Sequence, residues 1–368
     1  MKIKCLKQDL ERALLSAQKV INKNQSLPVL ENALFEARGD ELFVKATNIE
    51  VFVEYRITVS LEKDGEFAAP IDVLLQSVKN AKEGESIELE LKGNALSVKD
   101  KNSSFKIKTV AHDEFPKLKK PEALKESNLK INKDLFINGI KSVYSFSSSM
   151  SIKPELSSVF VYYEEDNLVF VATDQFRLAE KKIKYTNKND FQSVLIPTKN
   201  AGVLLKILEF TENTEFKFLS EENQISLESD ELFVSSRVLD LSFPDYKAII
   251  PNSFETKIIL LKEDLLSAIK KSALFTDKFG KLSLSLNKSK LKLKAENKDI
   301  GEIDENIEVK TEGKDEFEAN FNYRFLQEGI SAIFEDSVEI WFTGNSAPLL
   351  IKGVGDSSFV YILMPMNN

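Results

Sequence analysis

The chain has 368 residues, with 50 Lys and Arg against 58 Asp and Glu, a formal net charge of −8, 42% hydrophobic residues, one Cys and one His. No stretch approaches the roughly 20 apolar residues of a membrane helix, and the opening Met1-Lys2-Ile3-Lys4 has no apolar signal region, so a cytoplasmic protein with no membrane association is expected. One Cys excludes an internal disulfide, one Cys with one His cannot assemble a zinc site of nitrogen and sulfur ligands within one chain, and the length suits three cores of about 120 residues better than a single one.

In chain order the same pattern recurs three times. Lys2-Ile3-Lys4-Cys5-Leu6 reads as a strand and leads through Asp9-Leu10 into an amphipathic helix over 7–23, with an apolar stripe at Leu10, Ala13, Leu14, Ala17 and Ile21. A strand over 41–47 follows. Phe67-Ala68-Ala69-Pro70 then enters a second helix over 71–82, and strands over 86–91 and 96–99 flank the turn Lys92-Gly93-Asn94. Leu129-Lys130-Ile131 and Asp134-Leu135 reopen the pattern with a helix over 132–146. A strand over 167–173 comes next, and Val194-Leu195-Ile196-Pro197 enters a helix over 198–209 ahead of a strand at 215–218. The third round runs from Lys257-Ile258-Ile259 and Asp264-Leu265 through a helix over 262–275, a strand over 282–286, and Phe317-Glu318-Ala319-Asn320-Phe321 into a helix over 322–333.

The Asp-Leu pairs stand about 125 and about 130 residues apart, a domain-sized period. Pro70 and Pro197 fall at helix entries, where proline is best tolerated. The first two repeats close alike, in Glu114-Phe115-Pro116 and Ser242-Phe243-Pro244, which sets the expected domains at 1–122, 123–252 and 253–368.

No constellation for catalysis emerges. His112 stands in a polar turn with no nucleophile-elbow pattern nearby, no Gly-rich phosphate loop is present, and Cys5 reads as core. Glu164-Glu165-Asp166 and Glu221-Glu222 read as solvated hairpin tips, so a carboxylate-pair hydrolase is disfavoured. Net acidity argues against ordinary nucleic-acid binding, yet the six helical segments hold 14 Lys and Arg against 8 Asp and Glu, which leaves the acidity to the remainder. In the first helix Arg12, Ser16, Lys19 and Lys23 share a face away from the apolar stripe. From the charge count alone, a surface helix that carries lysines only for solubility is the favoured account of that face. The threefold repetition adds the alternative of a shape whose helices face something anionic.

At this point the residues show a family likeness. Val171-Ala172-Thr173-Asp174-Gln175-Phe176-Arg177-Leu178-Ala179, Phe243-Pro244-Asp245-Tyr246-Lys247, Pro28-Val29-Leu30 and Tyr361-Ile362-Leu363-Met364-Pro365-Met366 stand in order along a chain that resembles the bacterial sliding clamp, the β subunit of DNA polymerase III, over essentially its whole length. The resemblance implies an α+β fold of three clamp domains, each with two helices on an inner face and antiparallel sheets outside, closed head to tail as a homodimeric ring. It implies a non-catalytic processivity factor without cofactor or metal that encircles double-stranded DNA. It also implies docking of the polymerase III α subunit, the clamp loader, and other polymerases and repair proteins through a short peptide motif.

By position, that motif's groove falls to Leu156, Thr173, Gln175, Phe176, Arg177, Leu178, Pro244, Ile249, Leu363, Met364, Pro365 and Met366. DNA-facing positions are Arg12, Lys19, Lys23, Asn24, Lys79, Lys141, Lys153, Lys199, Lys206 and Lys270, with Asn24 where the family often has an arginine. The dimer interface falls to Phe105 and Ile107 of one subunit against Leu274 and Phe275 of the other. Gln175-Phe176 replaces the usual Gly-His, Ala248 a second basic residue and Asn367 another, so a more apolar groove with altered peptide preference is expected. An interaction scaffold without DNA remains the contrasting reading.

Overall fold

The computed structural model describes residues 1–21, 27–110, 113, 115–116, 120–122, 129–149, 152–186, 191–344 and 347–366. Six helices lie among them: α1 Lys7–Val20, α2 Ile71–Lys79, α3 Lys133–Val143, α4 Thr198–Leu208, α5 Lys262–Ala273 and α6 Tyr323–Ser331. All six fall where apolar residues recur at helical spacing. Each predicted segment overruns its helix, α3 by the most: Asn132 still belongs to a strand, and Tyr144–Phe146 forms a separate short helical turn. Val20 closes the buried stripe of Leu10, Ala13, Leu14 and Ala17, while Ile21 has already turned extended. Full burial of side chains such as Leu10 and Leu14 contributes about 1.5–3 kcal/mol each, which holds a helix that has no side-chain cap. Pro70 and Pro197 stand immediately before the first helical residues of α2 and α4. Among the described residues no helix is long and apolar enough to cross a membrane.

The chain divides into two compact units, 1–138 with 186–240, and 139–185 with 241–368, so each unit takes in parts of successive repeats. In the first unit, a five-stranded antiparallel sheet runs in the order Ser60–Lys63, Lys2–Leu6, Ser86–Lys92, Ala95–Lys99, Ser104–Lys108. An eight-stranded sheet runs Lys130–Asn132, Glu215–Glu221, Gln224–Glu228, Leu232–Arg237, Val51–Thr58, Glu41–Thr47, Asn32–Arg38, Gly65–Pro70. Its middle is a seam where the first repeat pairs with the second, Val51 opposite Ser236 and Glu54 opposite Phe233.

The second unit repeats that design. Its long sheet runs Ser158–Glu164, Asn167–Thr173, Arg177–Lys184, Phe359–Leu363, Leu349–Gly353, Ser337–Phe342, Thr256–Leu261, Lys310–Gly313, and its four-stranded sheet runs Gly301–Glu308, Lys290–Asn297, Lys281–Asn287, Glu316–Asn322. The seam here pairs Arg177 with Leu363 and Glu180 with Val360. Helix α6 lies against this seam: Gly329 allows the approach, since a Cβ there would come within 2.1 Å of the Tyr361 ring. The Tyr361 hydroxyl donates to the Phe325 carbonyl at 2.8 Å. Cys5 is buried in its strand as expected, and His112 lies outside the described residues.

The acidic hairpin tips differ from expectation at two residues, one being Glu221, which ends its strand half-buried and accepts from Gln224 Nε2 at 2.6 Å. Glu165 and Asp166 form the turn in left-handed conformation, but Glu164 ends the strand and pairs with Lys247, so it is not a free solvated tip.

Candidate functional site

The site begins with a five-residue turn between two strands of the second unit. Thr173 Oγ1 donates to the Arg177 carbonyl at 2.7 Å, and Asp174 Oδ1 accepts from the backbone N–H groups of Phe176 and Arg177 at 3.0 and 3.1 Å. The short polar side chains thereby satisfy amides that no strand can reach. The cost falls on Gln175, at φ +81°, a left-handed conformation that a glycine would adopt freely. The chain end closes against this turn, with the Met364 N–H donating to the Phe176 carbonyl at 2.8 Å.

Arg177 is 9% exposed, and its charge is fully engaged. Nε donates to Asp174 Oδ2 at 2.9 Å and Nη1 pairs with Glu328 of α6, while the guanidinium lies 4.3 Å from the Phe325 ring centroid and 5.3 Å from that of Phe146. Burial works against the charge, but the Glu328 and Asp174 carboxylates outweigh it and hold the guanidinium above its ordinary pKa. Phe176 is 60% exposed and stacks on Phe325, centroids 6.3 Å apart. A phenylalanine presented to solvent on so firmly pinned a turn offers a rigid apolar contact. Met364 and Ile249 are exposed apolar residues of the same unit, as is Pro244, whereas Pro365 and Met366 are half-buried.

The structure gathers these predicted residues in one unit but sorts them by depth and face. Leu156, Thr173 and Leu178 are buried. Leu363 stands directly opposite Arg177 and so shares its face of the sheet, while Ile362 stands opposite Leu178 and shares the other. Leu178 and Ile362 pack in one cluster with Val169, Val171, Tyr246 and Leu350. Ile362, Phe325 and Glu328 were missed from sequence. The period-two alternation from Leu178 through its partner strand could have found Ile362, but nothing local links α6 to the turn.

An equivalent turn exists at the seam of the first unit. Thr47 Oγ1 donates to Val51 at 2.9 Å, Asn48 Oδ1 accepts from Glu50 and Val51, Ile49 has φ +78°, and the Arg237 N–H donates to Glu50 at 2.8 Å. The register there puts Phe52 where the second seam has Leu178, Ser235 in place of Ile362 and Ser226 in place of Leu350, so the backbone is repeated with two serines for two aliphatic residues, beside a smaller cluster of Phe52, Phe233 and Leu219.

Of the positions expected from the sequence to face DNA, Lys79, Lys141, Lys153, Lys199, Lys206 and Lys270 are exposed. Arg12 instead pairs with Asp9 at 2.7 Å and with Glu212, and Lys19 sits 5.5 Å over the Phe210 ring. Lys23 and Asn24 lie outside the described residues, as does Asn367. Phe105 and Ile107 belong to the edge strand Ser104–Lys108, Phe105 exposed and Ile107 buried. Leu274 is 70% exposed just after α5, and Phe275 is half-buried beside Gly301.

Three family models cover nearly the whole chain: the N-terminal domain of the DNA polymerase III beta subunit over residues 1–119, its central domain over 130–245 and its C-terminal domain over 247–367. The chain belongs to the DNA polymerase III β subunit family. Members are sliding clamps, and the protein is accordingly a non-catalytic processivity subunit. It is similar to the beta sliding clamp of Rickettsia felis, at 26% identity over 97% of both chains, and to that of Synechococcus elongatus, at 24% identity over 100% of this chain and 99% of the other. Among solved structures, the DNA polymerase III beta subunit of Thermotoga maritima matches at 25% identity with a TM-score of 0.92, covering 100% of this chain and 99% of that one.

Proposed function

We propose that two copies of the chain close head to tail into a ring around double-stranded DNA, and that the surface built on the 173–177 turn holds short apolar segments of partner proteins. The observation that supports docking most directly is Phe176, exposed on a pinned turn beside a buried, charge-compensated Arg177. Such a surface binds peptides through fixed apolar contacts while Met364 and Met366 repack to suit different sequences. Its ligands are the α subunit of the polymerase, the clamp loader, and other polymerases and repair proteins that carry the same kind of motif, in the cytoplasm. The lining takes in Gln175, Pro244, Ile249 and Pro365 along with Leu156, Thr173, Leu178 and Leu363 beneath.

Ring closure joins two free sheet edges. The strand Ser104–Lys108 carries Lys106 and Lys108, and the strand Gly301–Glu308 carries Glu302, Asp304 and Glu308, each paired with a lysine of its neighbouring strand (Lys294, Lys292 and Lys290), so apolar contact by Phe105, Ile107, Leu274 and Phe275 is the main attraction between the edges. Encirclement asks for little affinity: exposed lysines such as Lys79, Lys199, Lys206 and Lys270 attract phosphates weakly and without regard to sequence, which permits sliding. The domains are 1–122, 123–252 and 253–368. The deciding experiment loads the protein onto nicked circular DNA with a clamp loader and then cuts the circle. Retention that is lost on linearisation supports a topological ring, and retention unchanged by cutting overturns it in favour of ordinary binding.

A further inference from the structure

The second unit buries a carboxylate in an otherwise apolar place. Glu180 is 4% exposed, two residues along the strand from Leu178 and on the same face, where the surrounding cluster is Val169, Val171, Leu350 and Ile362. A carboxylate so placed needs hydrogen bonds to remain there. It accepts from the Tyr246 hydroxyl at 2.5 Å and faces Lys182 Nζ at 3.4 Å. Tyr246 is itself 5% exposed and lies within 2.6 Å of the Tyr162 hydroxyl. A phenol has one proton, which Tyr246 gives to Glu180, so Tyr162 is the donor of the second bond. Lys247 sits 5.5 Å over the Tyr162 ring and pairs with Glu164.

This chain of groups ends in the short helical turn Lys247–Ile249. That turn is closed by the Ile249 N–H to Tyr246 and the Ile250 N–H to Lys247, at 3.1 and 3.2 Å. Phe243 stacks on Phe160 at 4.9 Å and meets Tyr246 edge-on at 6.0 Å. The segment that holds Pro244 and Ile249 is therefore fastened to the sheet at one buried polar point flanked by rings.

The first seam repeats the fastening with different chemistry. Glu54 occupies the register position of Glu180, three residues beyond Val51 as Glu180 is beyond Arg177. It too is buried, and its oxygens face Lys120 Nζ at 3.0 Å, while Lys120 also reaches Glu228 at 2.9 Å. In each unit a carboxylate on the seam strand thus holds the segment that follows a Phe-Pro pair.

We infer that Glu180, Tyr246 and Tyr162 are positioning residues for the peptide groove: their hydrogen-bond chain fixes the 244–249 wall at the distance from Phe176 and Met364 that an apolar peptide requires. The inference rests on the groove reading above. Burial is the first cause that raises the pKa of the Tyr246 hydroxyl, with Glu180 adding to it, so Tyr246 remains a donor throughout the physiological range.

The test uses the full-length protein and a fluorescein-labelled peptide that copies the clamp-binding segment of the polymerase α subunit. Tyr246→Phe and Glu180→Leu should each weaken the peptide at least fivefold. Glu180→Gln keeps an acceptor for the phenol and should stay within twofold of the parent. The double variant Tyr246→Phe/Glu180→Leu should lose no more than the worse single variant, because the two groups act as one unit. Amide hydrogen exchange without peptide should accelerate at Ile249 and Ile250 in Tyr246→Phe while the 173–177 turn keeps its protection. Peptide binding by the parent with no loss in Tyr246→Phe overturns the positioning role, as does unchanged exchange at Ile249 and Ile250. Failure of the parent itself to bind overturns the groove reading instead, and the exchange measurement still decides whether the chain of hydroxyls holds the turn.

Discussion

Replacing Arg177 with methionine tests the electrostatic argument at its centre. The change keeps much of the apolar volume between Phe146 and Phe325 but leaves Asp174 and Glu328 without their cation. The Asp174 side chain is 14% exposed and that of Glu328 is 52%, so the two losses differ. Stranding the nearly buried Asp174 should cost about 2–3 kcal/mol, while the half-solvated Glu328 should add no more than about 0.5 kcal/mol. The only tryptophan, Trp341, belongs to the second unit, so its fluorescence follows unfolding of that unit. With a denaturant slope of about 2 kcal/mol per molar urea, the expected drop in midpoint is roughly 1–1.75 M. Asp174→Asn keeps Oδ1 for the two turn amides and should cost about 1–2 kcal/mol, and Glu328→Gln less than about 1 kcal/mol. A Glu328→Gln loss as large as that of Arg177→Met would refute the assignment of the energy to Asp174.

Three further outcomes are expected. Leu274→Ala with Phe275→Ala should give monomers by light scattering, and an undisturbed dimer would place the interface elsewhere. Phe176→His should change the ranking of partner peptides in a competitive titration, and an unchanged ranking would remove Phe176 from the specificity surface. Burial pushes the Cys5 thiol up to about 12, so alkylation at pH 8 should await unfolding. Because the folded value lies above the unfolded one, the Cys5 contribution to stability is fully present below about pH 9 and is lost as pH rises toward 12, by up to about 1.4 kcal/mol per pH unit, and Cys5→Ala should lessen the slope by that amount while the buried tyrosines keep theirs.

The six helices were legible because apolar spacing within about a dozen residues is a local property. The Thr173-Asp174 pair of the 173–177 turn bonds to its own neighbours, a local signal, but in the sequence those residues served only as a mark of family likeness. The residues that give the turn its surroundings were not legible. Phe146 and Phe325 lie 31 and 148 positions from Arg177 in the numbering, and only strand pairing between 177–184 and 359–363, with α6 packed on Tyr361, brings them to its guanidinium. The Leu363 position shows the same limit: it is adjacent to the groove in sequence, yet period-two alternation turns it to Arg177's side and gives the Leu178 side to Ile362.

The threefold repeat and the lack of a recognisable catalytic constellation were written in the linear chain, because a repeat period and the supply of reactive side chains are properties of residue order alone. It fell to the folded chain to line one seam with an aliphatic cluster and the other with two serines beside Phe52, Phe233 and Leu219. Both seams share the backbone turn, and the difference arises from what the partner strands place opposite it, Leu350 and Ile362 in one unit and Ser226 and Ser235 in the other. That choice is made by register across more than a hundred residues, which no local pattern encodes.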